Sequence, residues 1–110
     1  MPMFMYQAAY TPESLAAQLK NPQNRAEAVG RQLVEAAGGK FVGGWYSFGE
    51  YDLLIIFDVP NAESAAAIAL AVAAGGALKA SKTTALMSGT EGVAAFTKAA
   101  SVAKSYTAAR

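Results

Sequence analysis

Apolar positions along the chain change their period several times, and the changes mark its elements. Met3 to Tyr10 is a short apolar and aromatic run closed by Thr11-Pro12-Glu13, which supplies a helix cap, a proline suited to a first helical turn and an early acid. This predicts a strand followed by a helix. Asn21-Pro22 interrupts that helix, because proline lacks an amide donor and disfavours helix in the residue before it. A second segment then carries Ala26, Val29, Leu33 and Ala36 at helical spacing, with Glu27, Arg31 and Glu35 on the outer face in the pattern of solvated ion pairs. Gly38-Gly39 ends it.

Lys40 to Phe48 and Tyr51 to Asp58 are both strand-like, and Gly49-Glu50 between them suits a two-residue hairpin whose first turn residue is glycine. The register follows: Phe48 opposite Tyr51, Tyr46 opposite Leu53 and Gly44 opposite Ile55, with Ser47 opposite Asp52 and Trp45 opposite Leu54 on the other side. Gly43-Gly44 inside a strand requires a bulge or a close approach. The run Leu53-Leu54-Ile55-Ile56-Phe57 has no polar face, which implies a central strand covered on both sides. Asn61 then caps an alanine-rich helix that Gly75-Gly76 stops. Ala77 to Met87 reads as a last strand, and its Lys79 and Lys82 are charges typical of a sheet edge. Thr90-Glu91 opens a C-terminal helix, residues 90 to 108, with Val93, Phe96, Ala100 and Ala103 on one face.

The order is β-α-β-β-α-β plus one helix. It predicts the α+β class: a ferredoxin-like βαββαβ sandwich, one domain over residues 1–110, with a four-stranded antiparallel sheet, both crossover helices on one face and an extra C-terminal helix. Such a sheet keeps one face bare. Face-to-face association of two copies, giving a dimeric α+β barrel with a cavity between the sheets, is the simplest cover, and a tail helix folded over the sheet is the competing one.

Composition sharpens this picture mainly by exclusion. Apolar residues make up 54% of the chain and charged ones 15%, more apolar surface than a monomer of 110 residues needs to bury. Nine basic and eight acidic residues, scattered along the chain, leave no footprint for nucleic acid or an anionic membrane. The uncharged run from Ser64 to Leu78 is shorter than the ~20 residues of a membrane-spanning helix. Met1 to Tyr10 has neither the basic start nor the apolar length of a secretory signal, so a cytoplasmic location is the expectation. The absence of cysteine and histidine removes disulfides, thiolate nucleophiles, the usual zinc sites and every Ser-His-Asp arrangement. No cofactor is called for by any motif, and any catalysis falls to carboxylates, Tyr, Lys, Arg or a bound cofactor.

Glu50 and Asp52 sit two apart, ~6.8 Å on a strand, which fits acid–base chemistry; turn support, with Asp52 bonding backbone amides or Ser47, is the alternative. No metal site follows from them. Trp45, Ser47 and Asp52 share a predicted face with Leu54 and Ile56, an apolar wall with a few polar groups that suits either a small-molecule pocket or dimer packing. Tyr6 and Tyr10 alternate with Met5 and add hydroxyls to such a cavity, and Lys82 adds a cation or simply protects the edge. The ligand-binding candidates are therefore Tyr6, Tyr10, Trp45, Ser47, Asp52, Leu54 and Lys82, with Asp52 also the catalytic candidate.

Gly49-Glu50-Tyr51-Asp52 before Leu53-Leu54-Ile55-Ile56 resembles the signature of the GYD family. Tyr10-Thr11, Ala37 to Lys40, the alanine-rich helix and Thr83-Thr84 fit in order over Met3 to Phe96. The resemblance implies small dimeric α+β-barrel proteins and supplies no activity. The hairpin is also similar to the effector-binding domain of leucine-responsive regulators, which implies amino-acid binding between subunits; their upstream helix-turn-helix has no counterpart here. Three functions are thus in view. They are a homo-oligomeric module binding a small apolar ligand between sheet faces, a cofactor-independent monooxygenase- or isomerase-like enzyme using the same cavity, and a structural assembly unit without ligand.

Overall fold

The computed structural model describes residues Met1–Arg110. Strand β1 (Met3–Tyr10) runs into Thr11, whose hydroxyl accepts from the Ser14 amide and starts helix α1 (Pro12–Lys20). The break at Asn21-Pro22 separates α1 from α2 (Arg25–Ala36), capped by Asn24. Strands β2 (Lys40–Tyr46) and β3 (Leu53–Asp58) form the hairpin; α3 (Ala62–Ala74), capped by Asn61, crosses to β4 (Leu78–Leu86). The chain closes with α4 (Gly89–Val102) and a turn of 3₁₀ helix, Ala103–Ser105. The sheet order is β2-β3-β1-β4, every pair antiparallel, so the split β-α-β topology is as expected. No helix is long and apolar enough to cross a membrane.

Strand β3 is central, and β4, with Lys79 and Lys82, lies at an edge. Ile55 and Phe57 are buried under the helices with Tyr6, Ala8, Val34 and Ile68. The hairpin register agrees with the sequence reading where the strands pair: Tyr46 with Leu53, Trp45 with Leu54, Gly44 with Ile55. A bulge at Val42 shifts the pairing upstream, so Phe41 meets Phe57. Gly44 is where α2 crosses: a Cβ there would strike the Ala26 carbonyl oxygen. Gly30, one turn on, would bring its own Cβ 2.9 Å from the Ile55 side chain. Two missing side chains therefore let α2 lie directly on β2 and β3.

Three expectations are corrected by these contacts. The turn is not a two-residue loop opened by glycine, since β2 ends at Tyr46 and β3 begins at Leu53. The only non-glycine residue with positive φ is Phe48, at 30°, and Gly49 has no such angle. Second, the buried stripe of α2 is Ala26, Gly30 and Val34, flanked by half-buried Val29 and Leu33, and Ala36 is exposed. The helix is rotated so that its smallest residues meet the sheet. Third, Arg31 does not act as an ion-pair rung; its guanidinium lies 4.8 Å from the centre of the Phe41 ring.

The far face of the sheet is uncovered. Trp45 is 52% exposed there, on the face it shares with Leu54, Ile56, Met5 and Leu86. Helix α4 does not cover it. A capping box joins Ser88 and Glu91 at its start, and the helix begins one residue earlier than the sequence places it, but it buries no residue and its main contacts are with the 3₁₀ turn that follows. The radius of gyration of 17.1 Å exceeds the ~13 Å of a rounded domain of this length because the helix stands off.

Candidate ligand cavity

Helix α2 packs on β2 and β3, and α3 packs on β4. Between them the layer is left open over β1. A cavity of about 300 Å³ lies there, floored by Ala8, Leu53 and Ile55 and walled by Val29 and Leu33 of α2, Val72 of α3 and Leu78 of β4. That volume is at the lower end for small-molecule pockets. Its polar groups are Tyr6, Tyr10 and Arg25, and no acidic residue lines it.

Tyr6 and Tyr10 face the helices, four residues apart on β1, and are 4% and 7% exposed. The Tyr6 hydroxyl is buried and has no hydrogen-bond partner. Burial raises its pKa; the Ser81 hydroxyl on the facing strand offsets part of that, without completing a hydrogen bond, and Tyr10 adds to the rise. Leaving such a group unsatisfied costs about 1–3 kcal/mol. Burial likewise raises the pKa of Tyr10, and the neighbouring Arg25 guanidinium opposes it. Arg25 is held at the mouth by its own backbone. Its amide donates to the Tyr46 hydroxyl at 3.0 Å, and that hydroxyl donates to the Gln23 carbonyl at 3.0 Å.

The seven residues singled out from the sequence do not form one site. Tyr6 and Tyr10 line the cavity on the helix side. Trp45, Leu54 and Lys82 lie on the opposite, open face, with Leu54 and Lys82 both paired to Gln7. Ser47 and Asp52 belong to the loop. The Ser47 hydroxyl donates to the Tyr51 carbonyl at 2.9 Å. Asp52 joins the loop to β1: its amide donates to the Ala8 carbonyl, and its carboxylate accepts from the Tyr10 amide, each at 2.8 Å. The β1–β3 ladder ends at Ala8 and Leu53, so the carboxylate stands where the next strand carbonyl would be. Glu50 is exposed at the loop tip.

Arg25, Val29, Leu33 and Val72 were not foreseen as cavity residues. One signal was present for Arg25. A cation at the first position of a helix opposes the helix dipole, so its placement needs another reason. The face that Tyr6 and Tyr10 occupy had no such signal, because alternation assigns residues to a common side without saying which side the helices take.

A split β-α-β sandwich with one cavity between helix layer and sheet is a ferredoxin-like α+β protein. The chain belongs to the GYD domain family, whose profile matches residues 4–96, from β1 into α4. No curated protein and no solved structure matches it.

Proposed function

We propose that this protein is a small-molecule-binding module whose ligand occupies the cavity between α2, α3 and the sheet, and that two copies associate through the open sheet face. The observation that carries the first part is the cavity itself, about 300 Å³ lined mostly by apolar side chains, with Tyr10 and Arg25 among its few polar groups. The second part rests on the exposed Trp45 beside Leu54 and Ile56, an apolar surface that the chain's own tail helix leaves bare.

The enzyme alternative has weaker support. Its candidate base, Asp52, is engaged with the Tyr10 amide and does not line the cavity. A cofactor-independent monooxygenase or isomerase would have to work with phenols and one guanidinium.

Native mass spectrometry and light scattering on the purified protein test both parts. The expected result is a dimer carrying, or taking up, one small molecule per chain, with Ile56→Glu giving a folded monomer. A monomer at micromolar concentration that retains and binds nothing would remove the reading and leave a purely structural unit.

A further inference from the structure

The cavity also has a direction. Tyr10, Arg25 and Ala77 line both the apolar cavity and a shallower cleft beside it, whose remaining wall is polar and includes Ser14, Gln18 and Gln23. Arg25 therefore sits at the boundary, with hydrocarbon on one side and hydrogen-bonding side chains on the other. It is the one charged residue in the cavity lining, and the neighbouring cleft also lacks an acid. Arginine presents a fixed fork of donors that matches a carboxylate, and the Tyr10 hydroxyl beside it adds another donor. The volume of about 300 Å³ admits about ten groups of water size.

Resting on the cavity reading above, we infer that the ligand is a small amphiphilic monocarboxylate: its carboxylate at Arg25 and Tyr10, and its apolar body against Leu33, Ile55 and Val72. Neutral molecules of the same shape leave the charge of Arg25 unanswered. Cations are opposed by it.

Isothermal titration calorimetry with benzoate and its neutral counterpart benzamide tests the inference. Benzoate is expected to bind at least about tenfold more tightly than benzamide, the size of a charge-assisted hydrogen bond in a partly buried site. Arg25→Met should erase that difference, chiefly by weakening benzoate. Ala71→Phe, at an exposed α3 residue that lines the cavity, should fill it and weaken both probes. Circular dichroism melts establish that each variant folds. Benzamide binding as tightly as benzoate, or an Arg25→Met variant that keeps the difference, overturns the carboxylate assignment and leaves the cavity reading standing. If no probe binds, or Ala71→Phe changes nothing, the cavity reading falls and the inference with it.

Discussion

At the scale of single residues, two polar groups illustrate opposite solutions to burial. The Tyr6 hydroxyl is buried without a partner, whereas the Asp52 carboxylate supplies one to a backbone amide. Tyr6→Phe removes an unsatisfied hydroxyl without changing shape, so urea unfolding of the ligand-free protein should show a gain of about 1 kcal/mol. Asp52→Ala leaves the Tyr10 amide unpaired and should cost about 1.5–3 kcal/mol in the same assay, while Asp52→Asn keeps an acceptor and should cost less. The tyrosines also set an alkaline limit. The folded chain holds Tyr6 and Tyr10 neutral to higher pH than the unfolded chain does, so their stabilising contribution is complete below about pH 10 and is lost as pH rises through their raised values. Melting temperatures measured on the alkaline side should fall with the appearance of tyrosinate absorbance, and more gently in the double phenylalanine variant.

At the scale of elements, much of the fold was legible because local chemistry and periodicity agreed. Asn21-Pro22, Asn61 and Gly75-Gly76 punctuate the helices where their conformational preferences require. The alternation of Trp45, Tyr46, Leu53 and Leu54 sets the hairpin register. Features that depend on partners distant in sequence were not legible. The loop took its shape from Asp52 bonding to β1, not from Gly49, and α2 turned toward the sheet through Gly30 and Gly44 because the strands beneath offered Ile55 and Phe41. The candidate site divided for the same reason, its tyrosines and its tryptophan lying on opposite faces. Gly44→Val tests this seam. Its side chain meets the Ala26 carbonyl, and the expected loss is about 2–3 kcal/mol in denaturant unfolding, with hydrogen exchange quickened along α2. At the start of α4, the capping hydrogen bonds from Ser88, first its amide and then its hydroxyl, hold the Glu91 carboxyl below the usual glutamate range. Acid should fray this helix only as pH falls through that lowered value.

At the scale of the whole molecule, the fold leaves two apolar surfaces unsatisfied: the open sheet face and the outer side of α4, where Phe96 is 80% exposed. The family match ends at Phe96, inside α4, so the helix runs on beyond the matched residues. Removing residues after Met87 should leave the melting temperature of the sheet domain nearly unchanged, because α4 contributes no buried residue to it.

The two walls of the cavity are built unequally. Helix α2 is fastened along its length, by Tyr46 at one end, by the contacts beside Gly30 and Gly44, and by buried Val34. Helix α3 buries only Ala65 and Ile68, both in its first half, while Ala71 and Val72 over the cavity are followed by Gly75-Gly76. One wall is a frame and the other a door hung at its N-terminal end. Amide exchange should be fastest in α3 after Ala69 and should slow there when the cavity fills, which would make the rate of ligand entry a property of an alanine-rich helix end rather than of the residues that grip the ligand.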